Sequence, residues 1–220
     1  AIAVIGVVVF AREHLDFPHT LSQFSGGPFF FIALVVAFLF SIFVHELGHA
    51  FTTKAFGREV LGMGVGLYWF GPMAFVDTSD MWLAPRLQRI AVTAAGPYTN
   101  LVLAGVASLG ALFISNSHVQ LGCWLFAIGS YFIVLIHLTP LLAYDGYYML
   151  IEALDRPNLR PNSISWLIRG LPQAIKSPRK FRGHVVEFLY GIASLLYIVM
   201  MVILLIAFYR VILQKWLLIS

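Results

Sequence analysis

Long apolar runs recur along this chain and exclude most of the ways in which a soluble protein can fold. The run from Phe29 to Val44 carries no charged residue, and the run from Val185 to Tyr209 carries only Glu187. About 20 apolar residues are enough for a helix to cross a bilayer. Charged residues make up 11% of the chain, against about 25% in a typical soluble domain. The composition therefore excludes a soluble enzyme or a disordered segment, and it predicts a polytopic membrane protein.

The lengths of the apolar runs predict an all-α membrane protein with about five to six transmembrane helices. A third span is expected from just after Arg89 to about Ile114, and a fourth from Leu121 to Leu138. The first run, from Ala1 to Phe10, is too short to cross a bilayer and is predicted to be the end of a longer helix.

The expected organisation is a single domain over residues 1–220. Its core would occupy residues 29–160, with a basic loop at 155–184 and a last span at 185–209. Because basic residues accumulate in cytoplasmic loops, the positive-inside rule places the 155–184 loop on the cytoplasmic side. The net charge of +4 is explained in the same way. We expect no nucleic-acid partner, since no basic stripe carries interleaved aromatic residues.

Between residues 61 and 76 the helical pattern gives way to alternation. Gly62, Gly64 and Gly66 alternate with larger apolar residues, and Gly71-Pro72 is typical of a turn. This pattern predicts a short membrane-embedded β-hairpin or re-entrant segment, which is tolerated at membrane depth only against protein or a water-lined cavity. A glycine-rich loop at the surface is the alternative.

The strongest chemical signal spans His45 to His49, which reads His-Glu-Leu-Gly-His at the end of an apolar run. Side chains four positions apart lie on one face of a helix, so both imidazoles can reach one metal ion. Glu46 is offset around the helix and is placed to hold a water molecule, as in zinc hydrolases. Such residues are expensive in lipid and indicate a functional site. The alternative is that they end a span near the lipid headgroups.

A zinc site with two histidines needs a third protein ligand, and Asp145 is the best candidate. Pro140 ends the preceding helix, and Gly146 lets the backbone turn beside the carboxylate. A lone acid among apolar residues needs a cation or another partner. Asp145 could instead be the N-cap of a helix over residues 146–154.

A third constellation lies within the third apolar run, at Gly96, Pro97 and Asn100. Gly96 permits close approach of another helix, and Pro97 removes a backbone hydrogen bond. Asn100 lies about one turn further along the helix and can bond a freed carbonyl or a substrate backbone. A kink that serves only helix packing explains the same residues equally well.

Together and in this order, the three motifs resemble the site-2 protease family of intramembrane zinc metalloproteases. The resemblance covers about residues 29 to 160. Residues 140–160, which read PLLAYDGYYMLIEALDRPNLR, are most similar to the peptide zinc metalloprotease branch with its Asp-Gly-Tyr-Tyr sequence. The resemblance implies a membrane-embedded β region at residues 62–76, where an unwound substrate segment can add as a strand.

The resemblance also implies the site residues. It implies Zn2+ as cofactor, with the ligands His45, His49 and Asp145, and Glu46 as the general base that acts on a zinc-activated water. The substrate-binding residues that it implies are Asn100, Gly96, Pro97 and His137. The last of these is a departure, because the family often has Asn at that position. An imidazole there can take over a hydrogen bond, ligate a metal or pack.

The function expected from these features is an intramembrane zinc metalloprotease that hydrolyses peptide bonds of membrane-embedded or membrane-associated substrates. The expected partners are such a peptide, the lipid bilayer and further subunits of a membrane complex. The expected location is a bacterial-type inner (plasma) membrane, with the active site towards the cytoplasm. The alternative is a non-catalytic, metalloprotease-like structural subunit. A transporter or channel would predict paired half-helices, which the sequence does not show.

Overall fold

The computed structural model describes residues 1–13, 28–68, 71–170, 181 and 183–217. The elements follow the chain as α1 (Ile2–Glu13), α2 (Pro28–Ala55), β1 (Gly62–Tyr68), β2 (Gly71–Asp77), a 3-10 turn (Ser79–Leu83), α3 (Arg86–Phe113), α4 (Ser117–His137), α5 (Asp145–Leu154), α6 (Leu159–Ser165), a π-helical turn (Trp166–Gly170) and α7 (Val185–Leu217). The described chain is therefore mostly helical, with one small two-stranded sheet.

Four helices in the described part of the chain are long and apolar enough to cross a membrane, namely α2, α3, α4 and α7. Helix α1 is apolar but shorter. The expected count of five to six spans is therefore not confirmed. The expected number assumed about 20 residues for each span along the whole chain. The candidate span Arg86–Phe113 is longer, with 28 residues, and shorter elements such as α1 and α5 use part of the remaining length.

The described residues form two compact units. The first comprises residues 1–140 and 144–152 and contains α1 to α5 with the hairpin. The second comprises residues 141–143 and 153–220 and contains α6, the π-helical turn and α7. The candidate site lies entirely in the first unit.

Helix α3 is the centre of the first unit, because α1, α2 and α4 all pack against it. Small residues permit the close approach. A Cβ on Gly6 of α1 would overlap the backbone of Gly105 in α3. Ala104, Ser108 and Ala111 of α3 are fully buried. Packing through small residues is the usual way for helices to associate in lipid, where apolar burial provides little driving force.

The hairpin expected from alternation at residues 61–76 is confirmed. Strands β1 and β2 are antiparallel, with Gly62 opposite Asp77 and Tyr68 opposite Gly71. Strand β2 packs against α2, whereas Val65 of β1 is 83% exposed. The hairpin therefore lies beside the helix that carries the histidines.

The second unit contains two short helical segments followed by the long α7. Helix α6 ends at Ser165, where the π-helical turn follows. Residues 155–158 are not helical, so α5 and α6 are separate helices. Arg156 and Glu187 form an ion pair at 2.6 Å. Much of the predicted basic loop, at residues 171–180 and 182, lies outside the described residues, as does most of the polar segment at 12–27.

Candidate metal centre

The two histidines lie one turn apart on the same face of α2. Their Nε2 atoms are 3.2 Å from each other. Asp145 is the first residue of α5, and its carboxylate faces both rings. Oδ2 lies 3.1 Å from Nε2 of His45, and Oδ1 lies 3.5 Å from Nε2 of His49. One ligand atom from each of the three residues lies within 4.8 Å of the others, so the group can hold a metal ion.

Helix α3 contacts the opposite side of each imidazole. Nδ1 of His49 lies 2.7 Å from the Val92 carbonyl oxygen. A carbonyl only accepts, so this Nδ1 carries the proton and leaves Nε2 with a lone pair. Metal-ligating histidines typically donate their second N–H in this way. The side chain of Asn100 occupies the corresponding position for His45, with its amide nitrogen 3.3 Å from Nδ1.

Gly96 of α3 leaves the space in which the ligand atoms converge. A Cβ at this position would lie 2.5 Å from Nε2 of His45 and would overlap Nε2 of His49. Pro97 follows, buried within α3, and does not end the helix. The structure therefore places Gly96 directly beneath both predicted ligands, where any larger side chain would displace them.

Glu46 lies beside the ligand group rather than within it. Its side chain is half-buried, and it interacts electrostatically with His49 and Asp145. The backbone amide of Val76 in β2 also interacts electrostatically with the Glu46 carboxylate. The hairpin therefore lies beside this carboxylate.

His137, the last residue of α4, also reaches the site. Its Nδ1 lies 2.8 Å from Oδ2 of Asp145. Burial alone would raise the pKa of Asp145, but hydrogen bonds from His137 and His45 hold that pKa well below its usual range. Asp145 is therefore a carboxylate, as a metal ligand must be. Asp145 also begins α5, so its place at a helix start and its contact with the histidines coexist.

The donor set fits zinc. Two imidazole nitrogens and one carboxylate oxygen are the ligands of many catalytic zinc sites, which keep a further position for water or substrate. Both imidazoles are supported on their far side by α3. The Asn100 side chain is fully buried, and its Oδ1 has no hydrogen-bond partner among the described residues. A half-turn of this amide would let Oδ1 accept a hydrogen bond from the protonated Nδ1 of His45, which leaves the Nε2 lone pair for a metal.

Most of the side chains at the site were predicted from the sequence, but two backbone groups were not. The structure brings together His45, Glu46, His49, Gly96, Asn100, His137 and Asp145. The Val92 carbonyl and the Val76 amide complete the cluster. Any residue supplies the same backbone groups, so the sequence carries no direct signal for them.

Comparisons with known proteins identify related sequences. YydH of Bacillus subtilis (strain 168), named as a proposed peptide zinc metalloprotease, is 29% identical over 137 residues, which cover 61% of this chain and 53% of that protein. The Synechocystis sp. (strain PCC 6803) protein sll0528, named as a proposed zinc metalloprotease, is 33% identical over 106 residues, 46% of this chain and 25% of that protein. The uncharacterized protein MJ0971 of Methanocaldococcus jannaschii is 38% identical over 71 residues, 31% of this chain and 20% of that protein.

The chain thus spans about half the length of the Bacillus relative, and less of the other two. No solved structure gives a significant match. The profile of peptidase family M50 matches residues 33–208. This match covers most of the chain and includes the three candidate metal ligands. The chain therefore belongs to peptidase family M50, the site-2 protease family.

Proposed function

We propose that this integral membrane protein is an intramembrane zinc metalloprotease that hydrolyses peptide bonds of membrane-embedded or membrane-associated substrates. One observation carries the proposal. His45, His49 and Asp145 present ligand atoms within 4.8 Å of one another, and Glu46 lies beside them on a helix apolar enough to span a bilayer. A half-buried acid next to a metal-competent group is an arrangement suited to metal-assisted hydrolysis.

The residues have separate roles in this proposal. A zinc ion bound by His45, His49 and Asp145 would polarise the scissile carbonyl and lower the pKa of a bound water towards about 7. Glu46 accepts a proton from the attacking water and later gives it to the leaving amine. The C–N bond breaks and one water molecule is consumed.

The hairpin is the proposed docking edge for the substrate. A peptide bond within an intact helix is shielded, so the substrate must be extended at the point of cleavage. Strand addition to a free sheet edge supplies main-chain hydrogen bonds for such a segment. The hairpin packs against α2 through β2, and Val76 of the same strand interacts electrostatically with Glu46. A segment paired with the hairpin would therefore lie close to the general base.

The substrate-binding role of Asn100, Gly96, Pro97 and His137 stays a prediction. Asn100 and Gly96 lie against the ligand imidazoles. We therefore propose that they shape the floor of the site, with Pro97 fixed in the same turn of α3.

The proposed location is a bacterial-type inner membrane with the site towards the cytoplasm. The histidines lie near the end of α2 that carries Lys54, and Arg58 follows three residues after α2 ends. Arg86 begins α3. Basic residues at this end of the spans favour a cytoplasmic position under the positive-inside rule. A non-catalytic structural subunit is not favoured, since it would have no chemical use for Glu46 beside the ligands.

The test is a comparison of Glu46→Gln with the wild type after reconstitution in liposomes. Glu46→Gln should bind zinc normally but should lose about 10²- to 10⁴-fold in turnover, the usual contribution of a general base. Cleavage is followed by mass spectrometry on a library of single-span peptides. The matched control is Glu59→Gln, which changes an exposed acid outside the site.

Cleavage by Glu46→Gln at the wild-type rate would refute the general-base assignment. A zinc-loaded wild type that cleaves no peptide of the library would overturn the protease proposal in favour of the structural subunit.

A further inference from the structure

We propose that His137 is a positioning residue that holds the Asp145 carboxylate in the orientation needed for metal binding. This inference rests on the proposed zinc site and goes beyond it. His137 makes the shortest polar contact to Asp145 in the described structure, 2.8 Å from Nδ1 to Oδ2. The contacts of Asp145 to His45 and His49 are longer, at 3.1 and 3.5 Å.

The His137 ring is itself held between two other rings. It makes an edge contact with His45, with ring centroids 4.3 Å apart, and it stacks on Tyr144 at 5.1 Å and an interplanar angle of 28°. These contacts direct Nδ1 towards the carboxylate. A donor whose rotamer is fixed by packing can orient its acceptor at little entropic cost.

The geometry favours positioning over direct ligation. The group of mutually close ligand atoms contains His45, His49 and Asp145, but it does not contain His137. The Asp145 carboxylate only accepts hydrogen bonds, so Nδ1 of His137 is the donor in this contact. Residues that bond a metal ligand in this way commonly raise metal affinity about 10- to 100-fold.

The same geometry indicates which substitution would keep the donor at residue 137. Nδ1 of His and Nδ2 of Asn are each bonded to Cγ, so both residues place an N–H donor equally far from the backbone. An Asn at residue 137 should therefore reach Oδ2 of Asp145 from the end of α4 as His137 does. A Phe would keep the ring contacts but would offer no donor.

The experiment measures metal binding in detergent and needs no substrate. Zinc affinity is measured by chelator competition for the wild type, His137→Asn, His137→Phe and His137→Ala. We expect Phe and Ala to weaken zinc binding about 10- to 100-fold and Asn to restore most of the affinity. His118→Ala, which changes an exposed histidine at the start of α4, is the matched control and should bind as the wild type does.

Absorption of the Co2+-substituted protein separates positioning from ligation. If His137 acts on Asp145, the cobalt bands of His137→Asn at saturation should match those of the wild type. A shifted spectrum in that variant, or affinity as poor as that of His137→Ala, would overturn the proposal. So would full affinity in a folded His137→Phe, with folding checked by thermal unfolding. If the variants show this pattern of zinc affinities but the wild type cleaves no peptide, the protease proposal is refuted and the positioning role of His137 stands.

Discussion

Replacement of Gly96 by Ala should remove metal binding while it leaves the fold intact. The added Cβ would lie 2.5 Å from Nε2 of His45 and 2.7 Å from Cε1 of His49, whereas ordinary contact begins at 3.4 Å. The His45 ring would have to move by about 0.9 Å to restore contact distance. It has little room to recede, because Asn100 lies 3.3 Å from its Nδ1. The His49 ring is held at 2.7 Å by the Val92 carbonyl.

Two effects of opposite sign decide the stability of Gly96→Ala. Overpacking costs about 1–3 kcal/mol, while Ala is about 1 kcal/mol better than Gly inside a helix. We therefore expect a net loss of about 0–2 kcal/mol, which is too small to unfold the protein. Metal affinity should fall more steeply, by at least about tenfold, because the shift acts directly on two of the three ligands.

The assay for Gly96→Ala is zinc content per chain, together with thermal unfolding in the same detergent. Gly110→Ala is the matched control, because Gly110 lies in the same helix and nothing lies within 4 Å of its hypothetical Cβ. The control should keep zinc and gain slightly in stability. Wild-type zinc content in Gly96→Ala would refute the argument that the ligand imidazoles pack against this glycine.

Two further predictions address the ligand set and the packing of α3. Asp145→Ala removes the carboxylate ligand and should reduce the zinc content from about one ion per chain to a small fraction. The zinc content is measured by metal analysis after a chelator challenge, and a normal value would exclude Asp145 as a ligand. Gly105→Val should separate α1 from α3, since a Cβ there already lies 2.8 Å from the Ile2 carbonyl oxygen. It should lower stability by about 1–3 kcal/mol, and an unchanged melting temperature would contradict the packing.

The side chains of the site that could be predicted are those whose spacing or flanking residues determine where they lie. His45 and His49 must share a helix face, and Asp145 lies between a helix stop and a glycine. The sharp turn expected at Gly146 is wrong, because this residue is helical; the glycine is needed because a Cβ there would overlap the Leu138 carbonyl. The contribution of the Val92 carbonyl depends on which turn of α3 faces α2, and this is set only in the packed state.

Element boundaries were less predictable than element types, for local reasons. The fourth apolar run begins at Leu121, yet α4 begins at Ser117 because the Asn116 side chain caps it, accepting from the amides of His118 and Val119. Helix α2 continues beyond the apolar run to Ala55. Gly57, with φ of 72°, follows its end. Capping and termination rely on polar residues, which apolar run length does not count.

The hydrogen bonds of the polar cluster link metal binding to the orientation of the Asn100 side-chain amide. Nδ1 of His49 donates to a carbonyl, and the Asp145 carboxylate accepts from His137. Within this cluster, Asn100 Oδ1 is buried and has no partner among the described residues, and a buried amide oxygen is more stable when it accepts a hydrogen bond. A half-turn of the amide satisfies Oδ1 only if Nδ1 of His45 carries the proton, and Nε2 then has the lone pair that a zinc ion needs. Zinc binding and relief of this buried amide oxygen thus favour the same tautomer of His45.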